Sequence, residues 1–413
     1  MKRLLGYLAA LVLLLLAVSL ALFAVLDDTP LVARGETISP ASIAQAKRLL
    51  ARHDPRRLQR GDERTAELPA SLLDDAVNYL ASRYLHARGA FLLADESAAV
   101  ALAVRVPAVL GERYLNLRAV LREAEGEPGV VAVSIGRVPV PPAIADVLIT
   151  SAISLAGFAE DWELLRKSIR RLAFKPAHGV VAVTYVWRPE ILERARSLAF
   201  APTDVGRLEV AQRALAAVLD HHAPRTRVPF PKVLASLLQG SDDDVSLPQR
   251  RAALLVLATY AAGQPLAKLL PEAGQWPRAR PVKLILLGRE DSAQHFAISA
   301  ALAAWAGEPA ANAIGVYKEI QDSRRGSGFS FADLAADRAG TRFGQLVTSD
   351  SPRLGELLRG ALSDGDLAPS LAGLPEYLSE SEFIRRYGGI DNAAYRALLE
   401  KIEDRLAALP LYR

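Results

Sequence analysis

Between Lys2-Arg3 and Asp27-Asp28 the chain runs from Leu4 to Leu26 without a charge. An uncharged helix of that length spans a hydrocarbon core of ~30 Å, so this stretch restricts the chain more than anything after it. Basic residues before it and acidic residues after it orient the start toward the cytoplasm and the rest outward. Ser19-Leu20-Ala21 offers a small-x-small site for signal-peptide cleavage, but the apolar run continues past it. The expectation is a signal-anchor: one transmembrane helix over residues 1–28, in a bacterial inner membrane, with the bulk of the chain in the periplasm. No later stretch repeats the signal. Ala252 to Leu266 is uncharged but short and broken by Gly263-Gln264-Pro265, and Ala297 to Tyr317 is broken by Gly307-Glu308-Pro309. Both predict buried helices, too short to cross a bilayer.

Beyond the apolar run the chain has the makings of an ordinary core. Of 413 residues, 51% are hydrophobic and 23% charged, which excludes a broadly disordered chain. The net charge of +4 comes with no basic run interleaved with aromatics, so no nucleic-acid partner is expected. The count of cysteines is zero. That excludes disulfides, a Cys-ligated metal, a Cys nucleophile and a lipidated N-terminus. There is no Walker loop, GxSxG elbow, HExxH or EF-hand loop. Missing nucleophile signatures weigh against covalent catalysis.

The fold class expected is α+β, mainly helical. Residues 29–66 read as a charged connector with one helix, Ser42 to His53. Residues 67–190 read as a sheet domain. Leu72, Leu73, Ala76, Tyr79, Leu80 and Tyr84 recur at helical spacing. An antiparallel meander follows: Ala90 to Leu93, Ala99 to Val106, Tyr114 to Arg122 and Val130 to Val138, with Tyr114, Asn116, Arg118 and Arg122 on a polar face. Helices are expected over 143–172 and a late strand over Val180 to Trp187. Residues 191–288 read as helical. There, His221-His222 ends one helix and Asp242-Asp243-Asp244 begins another, and a metal held across the two is a minor alternative to solvated helix ends. Residues 289–347 form a distinct module, and 348–413 a helical tail with a stop at Tyr387-Gly388-Gly389.

The module concentrates chemistry. Three helices are expected, Asp291 to Trp305, Ala310 to Asp322, and one starting at Ser330 through the capping box Ser330-Phe331-Ala332-Asp333. They can bring together His295, Glu319, Asp322, Asp333 and Asp337. One imidazole among several carboxylates suits a divalent metal, with His295, Glu319, Asp322 and Asp337 as candidate ligands, or general acid–base catalysis by the five. A structural account competes: Asp333 caps, Lys318 and Arg338 or Arg342 neutralise their neighbours, and His295 joins a polar network. Gly340 and Gly344 are expected to let the third helix pack closely.

The skeleton His295-Phe296, Gly315-x-x-x-Glu319, Lys318-Glu319-x-x-Asp322, Gly326-Ser327-Gly328-Phe329-Ser330-x-x-Asp333-x-x-x-Asp337 resembles the YfiM-type family of envelope lipoproteins and the VanZ-like membrane family. The resemblance covers residues ~290–345 and implies a cell-envelope setting. It departs from the first family in lacking the lipidation cysteine. It departs from the second in its short, interrupted helices and in Asp322 and Asp337, where amides are usual.

The sequence favours the first of three functions, a non-catalytic one, with an enzyme and a carrier as its alternatives. The first is an uncharacterised, non-catalytic envelope protein that binds a lipid, a peptidoglycan component or a protein partner, its polar cluster structural. Another is a metal-dependent hydrolase or transferase acting on an envelope substrate through the cluster. A third is a hydrophobic-ligand carrier, which requires a wide apolar pocket between the meander and the helix at 70–85.

Overall fold

The computed structural model describes residues 25–107, 111–124, 127–155, 157–239, 245–349 and 351–413. The expected transmembrane segment thus lies almost entirely outside the described residues, as do Asp242-Asp243-Asp244. No helix among the described residues is long and apolar enough to cross a membrane. The protein is α+β and mainly helical, and it divides into two compact units, Met1–Arg196 and Ser197–Arg413.

The first unit holds two antiparallel sheets. Strands β1 (Leu26–Asp27), β2 (Glu63–Pro69), β3 (Ala87–Ala94), β4 (Ser97–Arg105), β5 (Tyr114–Ala124), β6 (Glu127–Ile135), β7 (Val138–Val140), β8 (Ile169–Lys175) and β9 (Val180–Val186) alternate with helices α1 (Pro40–Arg52), α2 (Ala70–Leu85), α3 (Pro142–Leu155), α4 (Ala159–Ser168) and α5 (Glu190–Ala199). The expected meander is the sheet β3-β4-β5-β6-β7, and β1 pairs with the start of β5. A second sheet, β2-β9-β8, surrounds the late strand. Its flanking strands contradict two expectations: β2 lies in the supposed connector, and β8 interrupts the supposed helices of 143–172. Both are edge strands carrying charges, Glu63, Arg64 and Glu67 in one, Arg170, Arg171 and Lys175 in the other. Charges blunt a sheet edge against unwanted pairing, and they also hide the apolar alternation that would reveal a strand.

Packing in this unit depends on small residues. On β4 the buried set is Ala98, Ala99, Ala101 and Ala103, not Leu102 and Val104. At Gly89 of β3 a Cβ would lie 2.8 Å from the Val77 carbonyl oxygen, so α2 rests directly on the strand. The cleft at the end of that contact is lined by Arg34, Glu36, Arg88 and Arg105 together with Val32 and Tyr114. The lining thus mixes charged with apolar side chains, Pro30, Ala33, Ala87 and Ala103 among the latter. Asn116, assigned to the polar face, is 7% exposed. It accepts from Leu31 N at 2.8 Å and donates to Asp27 Oδ2 at 2.8 Å and Thr29 O at 3.0 Å, which ties down the chain leaving the apolar run.

The second unit contains α6 (Pro202–Asp220), β10 (Arg227–Pro229), α7 (Phe230–Gln239), α8 (Leu247–Ala261), β11 (Lys283–Ile285), α9 (Glu290–Ala306), α10 (Glu308–Arg325), α11 (Phe331–Thr348), α12 (Pro352–Arg359), α13 (Asp364–Leu367), α14 (Glu380–Tyr387) and α15 (Ala393–Ala407). β10 and β11 pair in parallel. The core is leucine, alanine and phenylalanine from α6 to α12. Helices α9 and α11 meet backbone to side: a Cβ on Gly340 would stand 2.2 Å from Phe296 O, and one on Gly344 2.3 Å from Ala300 O. The expected close packing at both glycines is present, and no side chain larger than hydrogen fits there. An aromatic cluster holds the start of α11, with Phe329 stacked on Phe383 at 4.2 Å between ring centroids. Phe329 and Leu378 exchange backbone hydrogen bonds, and Phe331 N donates to Pro375 O at 2.8 Å. Residues 329–333 are therefore fixed in place, which matters for the polar groups they carry.

Candidate metal centre between α9, α10 and α11

The polar centre is assembled from one turn of each of three helices. His295 and Ser299, one turn apart on α9, share a face. Both reach Asp337 Oδ1 on α11: His295 Nδ1 at 3.1 Å and the Ser299 hydroxyl, which donates at 2.7 Å. Glu319 comes from α10, and Gly315 sits one turn before it. A Cβ on Gly315 would lie 3.0 Å from Asp337 Oδ2, so the missing side chain makes room for the carboxylate. His295, Glu319 and Asp337 are 5%, 0% and 6% exposed. Each offers a ligand atom, and the three atoms lie within 4.8 Å of one another.

The start of α11 is arranged differently from the expected capping box. Ser330 Oγ accepts from Asp333 N at 3.1 Å, which is half of the box. The other half is missing, because Ser330 N donates to Glu319 Oε2 at 2.9 Å. Glu319 therefore does the work assigned to Asp333, and Asp333 is released toward the centre, with Oδ2 3.7 Å from His295 Nε2. Lys318 Nζ lies on the exposed side of the centre, 3.2 Å from His295 Nε2, 3.6 Å from Glu319 Oε1 and 2.6 Å from Asp322 Oδ2. Asp322 is thus the partner of Lys318 and lies apart from the His295, Glu319, Asp337 group.

Neutralisation also follows other routes than the sequence suggested. Arg338 and Arg342 both turn to Glu403 on α15. The guanidinium near the centre is Arg289, just before α9. It is bidentate to Asp291 and contacts both Glu376 oxygens, with Asp333 Oδ1 3.7 Å away. Nothing in the spacing pointed to Arg289, whose partner Glu376 is 87 residues away.

The charges do not balance. Arg289 is matched by Asp291 and Glu376, and Lys318 by Asp322. His295 then shares Glu319, Asp333 and Asp337 with only the longer contacts of Lys318, 3.6 Å from Glu319 Oε1, and Arg289, 3.7 Å from Asp333 Oδ1. Burial pushes the Glu319 pKa up, and the Asp337 charge adds to it, reaching about 7. Burial likewise raises Asp333, despite His295 beside it. For His295, burial pulls downward, but the charge and hydrogen bond of Asp337, helped by Asp333, outweigh it and bring the pKa to about 9. Lys318 Nζ donates to Nε2 only while that nitrogen is unprotonated. Protonating His295 therefore requires Lys318 to move fully to Asp322. Within this centre three buried carboxylate oxygens accept no hydrogen bond: Glu319 Oε1, Asp333 Oδ1 and Asp337 Oδ2. Buried acceptors in proteins are ordinarily satisfied, and excess buried negative charge is costly unless a cation or protons answer it.

One imidazole and two carboxylates form a three-ligand set of the kind that holds zinc or a similar divalent ion with a coordination position left over. Of the sequence candidates, the structure brings His295, Glu319 and Asp337 together, sets Asp333 at the rim, and assigns Asp322 to Lys318. The chain matches no family model, no curated protein and no solved structure.

Proposed function

We propose that this is a single-pass protein of the bacterial inner membrane whose helical unit faces the periplasm. There it binds a divalent cation through His295, Glu319 and Asp337 and catalyses hydrolysis or group transfer on an envelope substrate. The observation that carries the reading is the pair of nearly unexposed oxygens, Glu319 Oε1 and Asp337 Oδ2, that accept no hydrogen bond beside an imidazole. The cation would act as a Lewis acid on the substrate and on bound water. Ser299 holds Asp337 through Oδ1, leaving Oδ2 for a ligand role, and Ser330 N does the same for Glu319 through Oε2. Asp333, raised by burial, would take or give a proton at the edge of the centre. Lys318, 47% exposed in its side chain, supplies positive charge there for an anionic substrate. The apolar run from Leu4 to Leu26 supports the anchor, and the resemblance of the skeleton to the YfiM-type and VanZ-like families supports the envelope setting.

A second reading, a closed polar network in a non-catalytic binding protein, is favoured by the low exposure of His295 and Glu319. The deciding experiment is metal content and thermal melting of the detergent-solubilised chain, with and without chelator, beside His295→Ala. The expected result is stoichiometric metal, a chelator-sensitive melting temperature in the parent, and loss of both in the variant. A metal-free protein whose melting ignores chelator and added zinc or manganese would leave the network structural and the protein a binder.

A further inference from the structure

Helix α3 has three faces. At 3.6 residues per turn, Ala145, Ile149 and Ile153 form one stripe, and this stripe is the buried or half-buried one, turned toward β6. Asp146, Thr150 and Ser154 form a second stripe, exposed and polar. Ile144, Val147, Leu148 and Leu155 form the third, around a single polar residue, Ser151. They are apolar, yet 52%, 62%, 45% and 89% exposed, and Phe158 just beyond is 38% exposed. A helix facing water alone has no use for a third, apolar stripe.

The position of α3 says what covers it. Val25, next to last in the uncharged run, lies against the turn after β6: a Cβ on Gly136 would stand 2.2 Å from Val25 O. β1 then fixes Leu26 and Asp27 to β5. From Gly136 the chain passes through the three residues of β7 and enters α3. Six residue steps separate Gly136 from Pro142, so at ~3.3 Å per strand residue α3 begins within about 20 Å of the point where the apolar run ends. Two arginines flank that point, Arg137 3.4 Å from Asp27 and Arg113 3.2 Å from Asp28, and the Arg137 side chain is 86% exposed.

We infer that α3 is a membrane-surface helix whose Ile144, Val147, Leu148 and Leu155 stripe lies in the headgroup–acyl boundary of the bilayer that the N-terminal run crosses. The inference rests on the anchor reading of that run. With 14 residues, α3 is about 21 Å long, too short to span and suited to lying in the plane. Arg137 and Arg113 suit the phosphates of anionic headgroups at the exit point. The sheet unit is then held to the membrane at two places and cannot swing freely about its tether.

The absence of cysteine makes the test direct, because any introduced thiol is the sole labelling site. Leu148→Cys and Thr150→Cys, both exposed, are labelled with an environment-sensitive fluorophore. The full chain is reconstituted in vesicles of phosphatidylethanolamine and phosphatidylglycerol carrying a headgroup-region nitroxide lipid. Expected is several-fold stronger quenching by the nitroxide lipid at 148 than at 150, with aqueous iodide showing the reverse order. Equal iodide access at both sites in a chain that resists alkaline carbonate extraction would overturn the α3 inference and leave the anchor standing. Shielding of 148 from both quenchers would overturn it in favour of a protein cover, whether residues 1–24, a partner or a second copy. Release of the chain by carbonate would overturn the anchor reading and this inference with it.

Discussion

Each unit buries a polar cluster against a helix, and the two clusters are built to opposite specifications. In the sheet unit Asn78, 0% exposed, accepts from Gly89 N at 3.1 Å and donates to Gly35 O at 2.9 Å. Asp75 accepts from Arg34, from Ser39 N at 2.9 Å and from Ser42 Oγ at 2.7 Å, and Asp74 from Arg34 and from Phe91 N at 2.7 Å. Every contact ties a loop, a strand or the first turn of α1 to α2. In the helical unit Glu319, Asp333 and Asp337 retain oxygens that accept nothing. A satisfied network rigidifies a fold. An unsatisfied one raises the energy of the metal-free state and is a reservoir that binding a cation can draw on.

The comparison breaks or holds first on pH. Glu319 titrates near 7 in the folded protein against an ordinary value of 4.5. Between those values the folded state binds more protons than the unfolded one. The stability conferred by neutral Glu319 is therefore full at acid pH and lost as pH rises toward 7, by up to about 3 kcal/mol. His295 continues the trend, since its contribution is complete below 6.5 and lost through about 9. Asp75 has the opposite sign. Burial would raise its pKa, but hydrogen bonds from Ser39, Ser42 and Arg34 hold it below 3.8, so its contribution is present above 3.8 and fades only as pH falls further. Hydrogen exchange of α9 and α11 amides, followed in chelator from pH 5 to 9, should show protection falling while α2 stays level. Saturating zinc should flatten the Glu319 part, because a ligand carboxylate must be ionised. Level protection in both units would remove the distinction.

Asn78→Leu comes next. It orphans the buried Gly89 N–H and should cost about 2–3 kcal/mol, read by chemical denaturation. The contrasting change, Asp337→Asn, removes a surplus charge. In chelator and above pH 9, where His295 is neutral and gains nothing from the Asp337 charge, it should raise stability of the helical unit by about 1 kcal/mol, because like charge at Glu319 is relieved, and at neutral pH it should abolish the shift caused by added metal. If Asp337→Asn destabilises the chelated protein as Asn78→Leu does, the two clusters are of one kind and the centre is structural.

Legibility in the sequence follows the range of the interactions. The meander was readable because β3 to β6 alternate locally, and β9 because this central strand carries no charge and is rich in valine. The edge strands β2 and β8 were not, since charge overrode the alternation. His295, Glu319 and Asp337 stood out because each spacing, Gly315 to Glu319 or Asp333 to Asp337, lies within one or two helical turns. Their pairing did not. That Ser330 N belongs to Glu319, that Arg289 reaches Glu376, and that Arg338 and Arg342 answer Glu403 are decided by how helices cross, which no local spacing encodes. Asn116 misled for the same reason: its alternation was right for a polar face, and the partners that bury it lie 87 and 89 residues away.

The smallest predicted effect sharpens the comparison by removing what the clusters share. Ser39 caps α1 and accepts from Ser42 N at 3.0 Å, just as Ser330 caps α11 and accepts from Asp333 N at 3.1 Å. Ser39→Ala and Ser330→Ala should each cost ~1 kcal/mol, measured by denaturant midpoint in chelator. The Ser330 backbone N–H, which holds Glu319 Oε2, survives the change, so cation affinity should shift by less than about threefold. Equal cap costs with affinity retained would locate the difference between the units in the unpaired carboxylate oxygens and not in local helix geometry. A loss of affinity beyond about tenfold, ~1.4 kcal/mol, would mean that the side-chain cap itself orders Asp333 or Glu319 for binding. The ligand set would then extend to the first turn of α11.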